Sequence, residues 1–402
     1  MFQLQSIRFN LVTESPAVRK GSEEEIFGLR PRYLRHNLWT PDTDPKLVAA
    51  VWTHTARPLP RPPHPEIDNL AVRQTLEENP DLFKIVTLIK VDVLRRLTQS
   101  HPNRPFVESV LEGFTHGFWP WTRTLCEGYP LTHDESRPLK LSPEKEEFLR
   151  KQIQHERDLD RQSESFGKTL LPGMYCMPHY IVPKPHSTDW RLVNDLSAGP
   201  YSLNSMVDHQ FITGYPLDNL SHLGEMLLRK WKEKPGNVLV LWKSDISEAY
   251  RVCPMHKLWQ MKQVIRFSND LCVDRVNMFG GSPSGSIFIA FNSLVAWVAR
   301  FVRLVESLVY VDDSFGAEDD GQMELYSLYS PYNQWYPVQQ LEARLLNLWD
   351  ELGIPHKQKK QLFGSRLSIL GIEVNANSLT FSLPQESKDR LQKSCRRGVR
   401  KE

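Results

Sequence analysis

An α+β fold, with strands and helices interleaved over the C-terminal two thirds, is what this chain predicts, and three observations carry that expectation. Short β-rich runs bounded by turn residues recur from Tyr180 onward. Longer stretches between them repeat apolar residues at helical spacing. Two of the apolar runs end abruptly in carboxylates, at Asp245 and at Asp312-Asp313.

The elements follow in chain order. Residues 1–66 are mixed in character and close on Arg57-Pro58-Leu59-Pro60-Arg61-Pro62-Pro63-His64-Pro65. Each proline there fixes φ and removes a donor, so the run reads as an extended linker. Basic, proline-rich segments also suit SH3-like grooves, but a plain spacer is the simpler reading. Residues 67–165 are mainly helical, most clearly from Asp68 to about Gly128. The aromatic group Gly117-Phe118-Trp119-Pro120-Trp121 has the chemistry to stack bases, although core packing is the commoner fate of such clusters. Ser142-Pro143-Glu144 is a helix start, and the charged helix it opens is expected to run to about Arg161 with one narrow buried face.

Residues 166–384 change texture. Tyr180–Pro183 and Trp190–Val193 read as strands around a turn-rich link, and Asn237–Leu241 as a strand leading into Lys243-Ser244-Asp245. Ser286 to about Val305 is spaced as a helix. Pro337 is expected to open another, with the stripe Leu341, Leu345, Leu348 and Leu352 and a stop at Gly353. Ile369–Val374 and Leu379–Leu383 flank the hairpin signal Asn375-Ala376-Asn377-Ser378. Residues 385–402 form a basic tail.

Composition narrows the function classes only a little. The chain has 402 residues, 40% hydrophobic and 24% charged, with a formal net charge of +2. That balance by itself points to neither a nucleic-acid nor a membrane partner, so basic surface must come from clusters such as His356–Lys360 and Arg396–Lys401. The five cysteines form no CxxC pair, which indicates neither a zinc site nor a disulfide framework. No signal peptide opens the chain and no run approaches ~18 uninterrupted apolar residues. An intracellular protein, cytoplasmic or nuclear and neither secreted nor membrane-spanning, is expected.

Leu308-Val309-Tyr310-Val311-Asp312-Asp313-Ser314-Phe315-Gly316 places two like charges at the edge of a buried strand. The bland reading is a strand ending in a solvated turn. The sharper one is a metal-binding hairpin. Two-metal phosphoryl transfer needs acids from separate segments, and Lys243-Ser244-Asp245 supplies the second, 67 positions away from Asp312. For Asp245 the competing reading is a helix N-cap, with Glu248 completing a capping box.

Six motifs in order, over about Tyr180 to Leu383, resemble those of reverse transcriptases, in the style of LTR or DIRS-like (tyrosine-recombinase) retrotransposons of fungi. They are Val182–Pro185 through Asp189–Leu196 with Leu203-Asn204; Lys243–Arg251; Phe279–Phe288; Leu308–Gly316; Leu352–Pro355 with Lys359-Lys360; and Ile369–Ile372. The resemblance implies right-hand polymerase fingers and palm, with an antiparallel palm sheet and packed helices, preceded by a mainly helical N-terminal region. It implies an RNA-directed DNA polymerase that adds dNTPs to a primer on an RNA or DNA template. Asp245, Asp312 and Asp313, with the Ile246 carbonyl, would hold two Mg²⁺ ions, Mn²⁺ being a substitute. Lys184 and Arg191 would meet the triphosphate, Tyr250 would exclude a ribose 2′-OH, and Gly280 would admit the nucleotide or template strand. Lys360 would protonate pyrophosphate. Phe279, Gly281, Ser282, Leu370 and Gly371 would touch template and primer.

There are departures from the family's pattern. Phe279 stands where retroviral enzymes carry glutamine, and Gly285 replaces a common proline. The chain ends about twenty residues after the last hairpin, so a truncated thumb is expected, without RNase H, integrase or recombinase domains. The alternative is a catalytically inactive mobile-element remnant that binds nucleic acid.

Overall fold

Asn103 and Asn219 accept hydrogen bonds from the backbone N–H groups of Phe106 and Ser221, and helices begin directly after each of them. The computed structural model describes residues 47–137, 141–183, 189–267, 270–327 and 335–399, the last seven and Trp335 without their side chains. Its first part is helical: α1 (Leu70–Glu78), α2 (Val91–Leu97), α3 (Arg104–His116) and α4 (Pro143–Asp158). α4 is the charged helix expected, burying only Leu149 and Glu156.

An antiparallel hairpin follows, β1 (His179–Pro183) with β2 (Trp190–Asn194), Ile181 standing opposite Leu192. Next come α5 (Leu220–Glu233), β3 (Leu239–Asp245), the pair β4 (Val264–Phe267) and β5 (Asp270–Val273), and α6 (Ser284–Phe301). The remainder is β6 (Leu308–Tyr310), β7 (Asp313–Asp319), β8 (Met323–Ser327), β9 (Trp335–Gln339), α7 (Gln340–Leu352), β10 (Leu362–Gly364), β11 (Arg366–Ile369), β12 (Ile372–Asn375), β13 (Thr380–Ser382) and α8 (Gln385–Val399).

The sheet that matters runs β10-β3-β7-β6, antiparallel throughout. Leu239, Val240, Leu241 and Trp242 are all buried, as a strand covered on both faces requires. Trp242 lies opposite Gly316. A Cβ at position 316 would stand 2.5 Å from the Trp242 ring, so only glycine lets that indole lie flat on β7. Helices α5, α6 and α7 pack against β7, β6 and β3 respectively. By length and composition α6 is able to cross a membrane, but 78% of it is buried within the fold, where it acts as the central core helix.

Four expectations are corrected. The proline-rich run has no helix or strand only as far as Pro63, His64 and Pro65 opening a short helix (His64–Ile67), and it is not a free spacer: Leu59 is buried and its N–H donates to Ser109 Oγ (2.9 Å). Pro337 lies inside β9, opposite Leu325, and α7 starts at Gln340. An edge strand tolerates the missing N–H, and the Glu318 carboxylate receives the Leu341 N–H instead (3.1 Å). Asp245 caps no α-helix. The chain turns after it, Glu248 adopts φ +53°, and only a 3₁₀ turn (Ala249–Val252) follows. Finally, Ile369–Val374 is not one strand, because Leu370 and Gly371 form a two-residue turn with φ of +50° and +77°, the geometry of a tight hairpin.

Candidate active site

Register brings the acids together. β3 pairs with β7 so that Asp245 faces Asp313, and Tyr310 faces Asp313 across the hairpin. Val311 and Asp312 are therefore the turn, with Val311 at φ +57°. Three contacts hold this turn in place. The amide of buried Asn292, on α6, donates to the Val311 carbonyl (2.7 Å). Asp218, also buried, accepts from Val309 N–H and from Ala49 N–H (both 2.8 Å). The Ile246 N–H donates to the Asp312 carbonyl (3.1 Å). Burial pushes the Asp218 carboxyl up to about 6.

The charges are partly compensated. Lys360 Nζ lies 3.2 Å from Asp245 Oδ2, and Lys243 Nζ 3.2 Å from Asp313 Oδ1. Lys243 and Asp245 share one strand face, so the second pair is a diagonal cross-strand contact. Asp312 has no ion pair among the described residues. Burial, then the charges of Asp245 and Asp313, raise its carboxyl above the ordinary range. Oxygen donors on short arms, mutually repelling, are the donor type a hard divalent cation takes, so the residues fit Mg²⁺ in kind. Among the described residues no three such side chains already surround one metal-sized space, and lysines pair with two of these acids.

Tyr250 borders the acids. Its hydroxyl stands 3.6 Å from where a Cβ on Gly285 would sit, and its ring packs against Phe279 and Phe288 (centroids 5.1 and 5.8 Å). Burial and the nearby Asp312 charge raise its phenol pKa. Ion pairs on either side fix this segment. Burial works against ionisation of Glu248, but Arg161 (2.6 Å) and His155 hold its carboxyl low. Arg251, fully inside, forks onto Asp274 (2.9 Å to each oxygen) and reaches Glu156 (2.7 Å).

The glycine loop packs against a second segment of the chain. Gly280 (φ +102°) turns toward the β1-β2 hairpin, and a Cβ there would meet the Asn194 carbonyl at 2.5 Å. Its close backbone approach is to β2. The Asn204 side chain closes the loop, donating to the Gly280 carbonyl (3.0 Å) and accepting from Ser282 N–H (2.8 Å). Gly281 and Ser282 sit in this clamp, and Phe279 is 49% exposed beside Tyr250.

Among the described residues, Arg191, Leu370 and Gly371 lie on other elements than the acids. Arg191 is exposed on β2, with no ion pair among the described residues. Lys184 lies outside the described residues. Leu370 and Gly371 form the tip of the separate β11-β12-β13 sheet. Sequence reasoning missed Lys243, Asp218, Asn292, Arg161 and Arg251. Each is a polar side chain whose partner lies far along the chain, so the signal available was only a polar residue within an apolar or mixed run.

No protein-family model matches the chain, and no curated protein does. In overall structure the α+β chain is similar to foamy viral protease–reverse transcriptases. One, in complex with double-stranded DNA, gives a TM-score of 0.48 at 16% identity, over 76% of this chain and 49% of that one. Another, bound to an RNA/DNA hybrid, gives 0.47 at 16% identity over 92% of this chain and 40% of that one. The native prototype foamy virus protein gives 0.45 at 16% identity over 77% and 39%. The chain thus spans about half the length, or less, of these proteins.

Proposed function

We propose that this chain is the fingers and palm of an RNA-directed DNA polymerase of a retrotransposon. One observation carries the reading: strand register sets Asp245, Asp312 and Asp313 together at one end of an antiparallel sheet, with Tyr250 and Lys360 beside them. Asp245 and Asp312, with Asp313 and the Ile246 carbonyl, are the groups that would hold two Mg²⁺ ions, or Mn²⁺ in their place. Bound there, the ions would activate a primer hydroxyl and neutralise the leaving pyrophosphate.

The chain's own residues would do the rest. Tyr250 closes the space against a ribose 2′-OH, the group that tells RNA from DNA. Lys360, now on Asp245, would donate a proton to pyrophosphate. Lys184 and Arg191 would attract the triphosphate, Arg191 through its planar fork. Phe279 offers a flat face to template or base, while Gly280, Gly281 and Ser282 seat the loop. Leu370 and Gly371 would meet the primer.

Primer extension on an RNA template is the test. The reading expects dNTP-dependent product with Mg²⁺ and none after chelation; product that survives chelation would sink it. The second reading, a nucleic-acid-binding remnant without catalysis, is favoured by the lysine pairing of Asp245 and Asp313. It expects salt-dependent binding with no extension at any Mg²⁺ concentration.

A further inference from the structure

The active site leaves unused two stretches that stood out in the sequence, the proline-rich run Arg57–Pro65 and the aromatic group ending at Trp121. The fold brings them together. With residues 208–215 they line an open cleft of about 710 Å³, within the size range of ligand sites. None of the three acids lines it.

The cleft wall is built deliberately. Trp121 sits at φ +53°, its carbonyl accepts from Asp208 N–H (2.9 Å), and Thr122 bridges to Val207. Trp52 and Trp121 both stand against Tyr215, with ring centroids 5.3 and 6.0 Å apart. Phe211 is 47% exposed at the rim. Arg57 and Arg123 are exposed, and neither guanidinium has an ion pair or side-chain hydrogen bond among the described residues. The third arginine, Arg61, is already engaged by Glu112. The carboxylate that lines the cleft, Asp208, accepts from the Gln210 N–H (3.2 Å) within its own turn.

Aromatic faces beside uncommitted guanidiniums are the chemistry of base stacking joined to phosphate pairing. A purely apolar occupant would answer the rings and leave both cations unanswered. The cleft is also tied to the catalytic end, since the Ile212 carbonyl accepts from Ser286 Oγ (2.8 Å). Ser286 is the residue after Gly285, which faces the Tyr250 hydroxyl.

The geometry points to a binding site for an unpaired single strand of nucleic acid, with phosphates on Arg57 and Arg123 and a base against Phe211. The ligand class stands on the cleft's own chemistry. That the strand is a template leading to the acids rests on the polymerase reading.

The test is fluorescence anisotropy of the full chain with a labelled single-stranded oligouridylate at several salt concentrations. The R57A/R123A double variant is expected to bind about tenfold or more weaker at low salt, with the slope of log K against log salt reduced by about 1.4. Phe211→Ala is expected to lose about fivefold or more, and Phe211→Trp, which keeps a stacking face, to restore it. Thermal melts confirm that each variant is folded. Wild-type affinity and slope in the double variant, or equal losses in Phe211→Ala and Phe211→Trp, would overturn the site. If these losses appear in a chain that extends no primer, the cleft stands and the polymerase reading falls. If extension proceeds and the losses are absent, the cleft alone falls.

Discussion

Val311 is β-branched, yet its φ is +57°, a region that costs roughly 1–2 kcal/mol for an L-residue. The fold holds it there with the Asn292 amide and the strand pairing of Tyr310 with Asp313. The strain accompanies a specific arrangement: the turn leaves the Asp312 carboxyl partly buried and within reach of the charges of Asp245 and Asp313. Strain of this kind gathers at sites where geometry matters more than stability. Tyr250 shows the same economy at the other wall, wedged between Phe279 and Phe288 with its hydroxyl over Gly285. Under the polymerase proposal a ring so fixed would act as a steric gate. Tyr250→Ala is expected to lower discrimination against ribonucleotides by about tenfold or more, read as the ratio of dNTP to rNTP incorporation efficiencies. An unchanged ratio would remove the gate role.

At the scale of elements, β3 is held from behind as well as in register. Ser244, between Lys243 and Asp245, donates to Glu342 Oε1 on α7 (2.7 Å), and Glu342 is wholly buried with Oε2 unpartnered. Burial, with the charge of Glu318 added, pushes the Glu342 carboxyl up to about 8 from its ordinary 4.5. Between those values the folded chain keeps a proton that the unfolded chain has released. Stability therefore falls as pH rises from about 4.5 toward about 8. Glu342→Gln should flatten this decline and stabilise the fold by roughly 1–3 kcal/mol at pH 8, with little change at pH 5. Denaturant unfolding at the two pH values checks it; equal effects at both would show that the carboxyl is ionised in the fold. Elements also mark where sequence reading stopped. Pro337 reads as a helix start on local grounds, but pairing with Leu325 keeps it in a strand, and pairing is a tertiary fact.

For the molecule as a whole, the acids and the strands that carry them were legible because an apolar run ending in charge is a local pattern. Asn237–Leu241 and Leu308–Tyr310 announce strands, and Asn375–Ser378 announces a turn; all three appear in the fold, the first of them starting at Leu239 and running on to Asp245. The cations that meet the acids were not all legible. Lys360 was named for another purpose, and Lys243 reaches Asp313 only through the register of β3 on β7. Nor was the packing of Gly280 legible, since its neighbour, the Asn194 carbonyl, comes from a hairpin more than eighty residues earlier. The buried Glu156–Arg251–Asp274 network joins α4 to the segment after β3, a three-way meeting that no spacing encodes. Such a network, once one partner is removed, strands a charge in the interior, which explains why the segment carrying Tyr250 is so firmly held.

The central claim is that the three acids form one catalytic centre. Single-turnover extension of a DNA primer on an RNA template, comparing wild type with Asp312→Asn, tests it most directly. Asp312→Asn keeps the shape and removes one charge, so the fold should persist by circular dichroism. The account predicts a fall in incorporation rate of at least about a hundredfold, the loss of several kcal/mol of charge stabilisation. Incorporation by Asp312→Asn at the wild-type rate would contradict it.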